Sequence, residues 1–152
     1  MVNHVFLISF KSFKCIFIQG LQITPYHPVW VANQWQFPLN IGLCETISCD
    51  YVYNLVVEDQ HVVIINGVAC ATLGHGYDEN EIIYHPYFGT QLVIKDLEKM
   101  RGWKEGLITI DCMLTTRDEK TGLIDRIIQA DYEKVFSTNQ QIVINLNNIK
   151  AF

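Results

Sequence analysis

Short runs of apolar, often β-branched residues separated by polar turns dominate the hydrophobic pattern of the chain. Three such runs follow one another at residues 51–57, 62–65 and 68–73, and runs of this kind are typical of half-buried or buried strands. Asn66-Gly67 lies between the last two runs and predicts a tight hairpin, because a type I′ turn requires positive φ at both central residues. With a polar turn at residues 58–60, the pattern predicts a three-stranded meander.

The segment before the meander predicts further short strands, each ended by a charged or proline-containing turn. Pro25, for example, stops one apolar run because proline fixes φ and removes an amide donor. The predicted elements are a hairpin of strands 5–10 and 15–18, a strand at 21–24, an aromatic hairpin of strands 29–31 and 35–37, and a loop at 38–48.

The segment after the meander contains the clearest helical pattern. Thr90 is a favourable N-cap for a helix at residues 91–100, whose apolar side chains share one face, and Gly102 is a favourable stop. The fold class is therefore mainly β, with one short α-helix and a C-terminal β-hairpin extension. The remaining predictions are strands at 107–116, 123–129 and 141–146, one domain at 1–130, and a C-terminal extension at 131–152.

Composition and charge restrict the function. The 152 residues are 49% hydrophobic and 18% charged, which is typical of a single globular domain. The net charge of −5 argues against general nucleic-acid binding, which needs clustered cations. No apolar run reaches the length of a membrane span. Five cysteines are few and odd in number, so we predict a reducing compartment and hence an intracellular, cytoplasmic location.

Several motifs follow one another in a fixed order. They are Thr24-Pro25-Tyr26-His27-Pro28, Cys49 with Val52-Tyr53-Asn54, His61 through Gly67, and Thr72-Leu73-Gly74-His75-Gly76, extended by His85 to Thr90 and by Gly102-Trp103. Together they resemble the Hint superfamily, the self-processing domains of hedgehog proteins and inteins, and within it the Vint branch. The resemblance implies a Hint-like all-β fold and autocatalytic cleavage of the chain's own polypeptide.

The resemblance also implies roles for individual residues. Thr24 and His27 match the Thr-x-x-His element that contacts the scissile amide. There the imidazole donates a proton to the leaving nitrogen and the hydroxyl orients the pair. His61 and His75 are the further catalytic candidates. Because His75 is followed by Gly76 instead of asparagine, and Asn54 stands where many inteins have aspartate, full protein splicing is not expected.

The nucleophile of the family is a cysteine or serine directly after the scissile bond, which starts an N-to-S or N-to-O acyl shift. The opening block that carries it has no match here, so we expect an N-terminally truncated Hint domain that is inactive alone. Cys15 is the only upstream thiol. It lies within an apolar run, where a cysteine is normally buried and unreactive.

Two alternatives to the inactive domain remain open. The chain is a split half whose opening Hint segment comes from another chain, or a non-catalytic β module that binds a protein partner through Trp30, Trp35 and Trp103. Cofactors are not indicated. Cys49, His61, Cys70 and His75 have the ligand types of a tetrahedral zinc site, but their spacing matches no Cys-x-x-Cys element, and we expect no bound metal.

Overall fold

The computed structural model describes residues 1–9 and 12–131, in which short strands and one α-helix surround two apolar cores. The prediction of a mainly β chain with one short helix is confirmed for these residues. In chain order the elements are β1 (Val2–Ser9), β2 (Phe13–Ile18), β3 (Leu21–Ile23), β4 (Val29–Val31), β5 (Gln34–Gln36), a 3₁₀ turn (Pro38–Asn40), β6 (Cys44–Ile47), β7 (Tyr51–Val57), β8 (Val62–Ile65), β9 (Val68–Ala71), α1 (Gln91–Leu97), β10 (Leu107–Ile110), β11 (Met113–Arg117) and β12 (Ile124–Gln129).

The strands form four small sheets. β1 lies between antiparallel β7 and parallel β10, and β2 lies between β3 and β6, both antiparallel to it. A third sheet has the order β5-β4-β9-β8, and β11 and β12 form a separate hairpin. The predicted aromatic hairpin (β4–β5), the Asn66-Gly67 hairpin (β8–β9) and the β11–β12 hairpin are confirmed.

Three predictions about the strands are wrong. β1 does not form a hairpin with β2, because β1 pairs with the distant strands β7 and β10. The three-stranded meander fails for the same reason, since β7 pairs with β1 and not with β8. The supposed loop at 38–48 contains the 3₁₀ turn and β6, which completes the sheet of β2.

Several predicted elements are shorter than expected, two of them markedly. The strand predicted at 107–116 is divided at Asp111-Cys112 into β10 and β11. The helix ends at Leu97 because the next turn tightens: Lys99 and Met100 donate amide bonds three residues back, to Asp96 and Leu97. The predicted strand at 141–146 and the extension beyond residue 131 lie outside the described residues.

The end of β9 and the residues directly after it, 70–73, connect the two apolar cores. Cys70 packs in the core built around Ile16 and Val29. Three residues later, Leu73 packs in the larger core that holds Phe6 and the buried face of α1. The residues between, 71 and 72, therefore lie where the cores meet. Within the described residues, no helix is long and apolar enough to cross a membrane.

Candidate active site

The turn after β3 fixes the Thr-x-x-His element beside the end of β9. The amide of His27 donates to the carbonyl of Thr24 at 3.3 Å, which closes the turn. His27 Nε2 lies 2.6 Å from the carbonyl oxygen of Ala71. Because a carbonyl only accepts, Nε2 carries the proton and donates it, which leaves Nδ1 as the acceptor nitrogen of the neutral ring.

The surroundings of His27 favour its neutral form. Burial lowers the pKa of the imidazole, and the hydrogen bond to the Ala71 carbonyl opposes this shift only partly. At neutral pH the ring therefore has one proton on Nε2 and a lone pair on Nδ1. In this state it can take up a proton from a nucleophile before it donates one to a leaving group.

Two cavities meet at this histidine. They have volumes of about 460 and 640 Å³ and share four lining residues: His27, Asn54, Ala71 and Thr72. The smaller cavity is lined in part by apolar side chains and by the tip of the β11–β12 hairpin. The larger one is bordered by β3, β7 and β8, each at the edge of its sheet. We refer to the four shared residues as the shared wall.

Thr24 and His75 lie on either side of the shared wall. Thr24 is 5% exposed and lines the larger cavity, and His75 is 8% exposed and lines the smaller one. The structure thus brings together three of the four predicted catalytic residues: Thr24, His27 and His75.

His75 is held neutral by its surroundings. Its Nδ1 accepts a hydrogen bond from the amide of Tyr77 at 2.9 Å, which a protonated ring could not do. Burial lowers the pKa of His75 to about 4, with a further lowering from His61 and His27 that Glu79 opposes. Gly89 leaves room for the ring, since a Cβ there would lie 2.9 Å from His75 Cε1.

His61 is close to His75 but lines neither cavity. Its carbonyl oxygen accepts the amide of Thr72 at 3.0 Å, so its backbone helps to place the shared wall. The His61 side chain therefore does not contact either cavity, and only its backbone takes part in the shared wall.

Two polar residues of the shared wall stand in the family motifs but were not predicted as site residues. Asn54 is 2% and Thr72 is 4% exposed, yet Asn54 Nδ2 and Thr72 Oγ1 have no hydrogen-bond partner among the described residues. The available signal for Asn54 was its place in the family motif, where many inteins have aspartate. His85 was also missed. It lines the smaller cavity, and burial lowers its pKa to about 4.

Cys15, the candidate nucleophile, does not belong to this site. It lies in the middle strand of its sheet, is 0% exposed and lines neither cavity. Burial raises the pKa of its thiol, and Glu45, Cys44 and Cys49 raise it further. All of these effects disfavour the thiolate, which is the reactive form.

The four residues of the alternative zinc set are not gathered around one point. Cys49 and Cys70 line the larger cavity, His75 lines the smaller one and His61 lines neither. Cys70 donates its thiol hydrogen to the carbonyl of Val68, and burial raises the pKa of this thiol to about 11. Among residues 1–9 and 12–131, no three histidine, cysteine or acidic side chains are placed to hold a metal ion. Each of the five cysteines has a free thiol.

The tryptophans suggested for a protein partner differ in their exposure. Trp30 is 43% exposed and packs edge-on against Trp35, with ring centroids 5.4 Å apart. Trp103 instead stacks on His4 at 3.6 Å. Binding of a partner through these rings stays a prediction.

A mainly β domain with a Thr-x-x-His turn against the end of β9 is consistent with the Hint class of autoprocessing domains. A family model named Vint and described as a Hint domain matches residues 1–126. The chain therefore belongs to the Vint family, which confirms the resemblance seen in the motifs and the Hint-like all-β fold. No curated protein matches the sequence.

Proposed function

We propose that the shared wall is the processing centre of this Hint domain, where a peptide bond of the domain's own polypeptide is cleaved by an acyl shift. The hydrogen bond between His27 Nε2 and the Ala71 carbonyl is the observation that carries the proposal. It fixes the ring of the Thr-x-x-His histidine at the junction of two cavities. A half-buried, oriented imidazole at such a junction is suited to moving a proton during acyl transfer.

The proposed reaction has two proton transfers. A cysteine or serine after the scissile bond attacks the preceding carbonyl carbon, and its proton passes to His27 Nδ1. The carbon–nitrogen bond then breaks, His27 returns the proton to the leaving nitrogen, and a thioester or ester replaces the amide. The lowered pKa of His27 suits this order of proton transfers, because the neutral ring can accept the first proton at neutral pH. A thiol or water then releases the acyl group.

The other polar groups around the site support His27. Thr24, buried in the wall of the larger cavity, orients the scissile amide with its hydroxyl. His75 provides an uncharged polar side chain on the opposite side. His61 acts through its backbone, since its carbonyl holds Thr72 in place.

We further propose that this chain does not cleave itself without a nucleophile-bearing segment. The burial of Cys15 and its absence from both cavity walls support this, because no other cysteine precedes Thr24 in the sequence. His27 lines both cavities, and we propose that a Cys-bearing opening segment, on the same polypeptide or on a second one, enters the larger one, which Thr24 also lines.

The first experiment examines the chain alone. Incubation with dithiothreitol or hydroxylamine, followed by intact-mass measurement, should leave the 152 residues whole. Loss of residues 1–14, abolished by Cys15→Ala, would show that Cys15 is the nucleophile. That result would overturn the proposed inactivity.

The second experiment supplies the missing group. An opening segment of a Vint-family domain, beginning with cysteine and preceded by a short reporter peptide, is added to the folded chain. Dithiothreitol should then release the reporter, and a segment with the cysteine replaced by alanine is the matched control. Failure of release with a segment that binds the chain would count against the processing function.

A further inference from the structure

Asn54 on β7 and Thr72, the residue after β9, both belong to the shared wall. The residues that follow them are hydrogen-bonded, because the amide of Leu73 donates to the carbonyl of Leu55 at 2.9 Å. Both Asn54 and Thr72 line both cavities. Their polar side chains are therefore placed at one location, which is reached from either cavity.

Both side chains are buried with a polar atom unpaired. Asn54 Nδ2 and Thr72 Oγ1 have no partner among the described residues, although Asn54 is only 2% and Thr72 4% exposed. Most buried polar groups are hydrogen-bonded, because an unpaired one reduces the stability of the fold. Two adjacent exceptions at the junction of two cavities indicate a partner that binds there during function.

The chemical character of the location identifies that partner. An amide N–H and a hydroxyl O–H are both donors. The nearby imidazoles of His27 and His75 have lowered pKa values and are neutral at pH 7, so these two rings bring no positive charge to the location. Paired neutral donors in a desolvated site are suited to a carbonyl oxygen that gains negative charge during a reaction.

We propose that Asn54 Nδ2 and Thr72 Oγ1 form the oxyanion site of this domain and donate hydrogen bonds to the carbonyl oxygen of the scissile peptide bond; this inference rests on the proposed processing function. When the nucleophile bonds to the carbonyl carbon, the π-electron pair moves to the oxygen, and the two donors stabilise the resulting charge. The proton of the nucleophile goes to His27. Collapse of the intermediate returns the electron pair and expels the nitrogen, which His27 protonates.

The test measures the rate of reporter release with the opening segment in excess. Thr72→Val keeps the shape of the side chain but removes the donor, and should slow release by about 10²–10³-fold. Asn54→Leu keeps roughly the size of the side chain but removes the amide donor, and should slow release by a similar factor. Thr72→Ser keeps the hydroxyl and should stay within roughly tenfold of the wild-type rate. Thr115→Val, at an exposed position of β11, is the matched control and should leave the rate unchanged.

Thermal unfolding separates an oxyanion role from a structural one. If Thr72 Oγ1 is unpaired in the resting protein, Thr72→Val removes a buried unsatisfied group and should raise the unfolding midpoint, by about 2–4 °C for a chain of this size. A variant that is slower and yet more stable is the signature of a group placed for reaction. A lower midpoint together with a slower rate would indicate a structural hydroxyl and overturn the inference.

The remaining outcomes distinguish the inference from the function on which it rests. If the wild-type chain releases the reporter and Thr72→Val and Asn54→Leu do so at the same rate, the oxyanion site is wrong and the processing function stands. If the wild-type chain releases no reporter peptide with the segment bound, the processing function is wrong, and so is the oxyanion site that rests on it.

Discussion

Three histidines around the site are held in one tautomer each by hydrogen bonds to the backbone. His27 donates from Nε2 to the Ala71 carbonyl, whereas His75 and His85 accept backbone amides at Nδ1. These bonds and burial, which lowers the pKa of each ring, keep the three imidazoles uncharged at neutral pH. The sequence indicated His27 and His75 through the family motifs. Asn54 and Thr72 stand in the same motifs but were not predicted as site residues, because an unpaired buried group is a property of the packing and not of the residue type.

The pH dependence of stability tests the neutral state of His75. A histidine in the unfolded chain has a pKa of about 6.5, and burial lowers that of His75 to about 4. Between these values the unfolded chain binds more protons than the folded chain. The contribution of neutral His75 to the free energy of unfolding is therefore complete above pH 6.5 and is lost as the pH drops towards 4. A tenfold difference in proton affinity between the folded and unfolded chains is worth roughly 1.4 kcal/mol.

His75→Asn is the matched variant for this measurement. The asparagine oxygen can accept the amide of Tyr77 but does not titrate. The loss of stability between pH 7 and pH 5, measured by urea unfolding, should be smaller in His75→Asn than in the wild type. Equal losses in the two proteins would show that His75 is not a buried neutral histidine.

At the scale of the elements, local pairings could be predicted and distant ones could not. The β8–β9 hairpin follows from Asn66-Gly67, whose φ angles of 51° and 81° are those that the turn requires. The pairing of Val5 with Leu107 joins two apolar runs that are far apart in the chain. Nothing in the residues of either run indicates which other run it pairs with. Strand propensity predicts that a segment is a strand. Which sheet the strand joins depends on how residues from the whole chain are buried together.

The loop that leads into α1 also places His75, which a glycine substitution can test. In Gly89→Ala the new Cβ would lie 2.9 Å from His75 Cε1 and 2.9 Å from the His85 carbonyl oxygen, so the imidazole must move. We expect a destabilisation of about 1–3 kcal/mol from overpacking and a changed ¹⁵N resonance of His75 Nδ1 by NMR.

Gly122→Ala is the control for this prediction. Gly122 has a φ of 70°, and no atom lies within 4 Å of a Cβ added there. Alanine at this position therefore strains the backbone but collides with no neighbouring atom. The His75 resonance should stay in place in this variant. An unchanged His75 resonance in Gly89→Ala would contradict the close packing of the loop against the ring.

At the scale of the whole molecule, the small sheets leave several strand edges without a partner among the described residues. β3, β7 and β8 each lie at the edge of a sheet and border the larger cavity. Unpaired edges can add a strand from another chain. The same edges that would receive an opening segment therefore make the isolated chain prone to association.

Light scattering tests this property directly. The isolated chain should form dimers or larger species as its concentration rises. Ile64 is 76% exposed on β8, and Ile64→Lys should reduce the association because a charge on an edge strand opposes pairing. A chain that stays monomeric over the whole concentration range would indicate that its edges are protected.

The role of His27 as the proton carrier is the central claim, and the rate of reporter release tests it most directly. With the Cys-bearing opening segment in excess, His27→Ala should slow release by ~10²–10⁴-fold, because that is the usual contribution of a positioned proton donor. Its circular dichroism spectrum and its affinity for the segment should match those of the wild-type chain. Release at the wild-type rate from the folded His27→Ala chain would contradict the account.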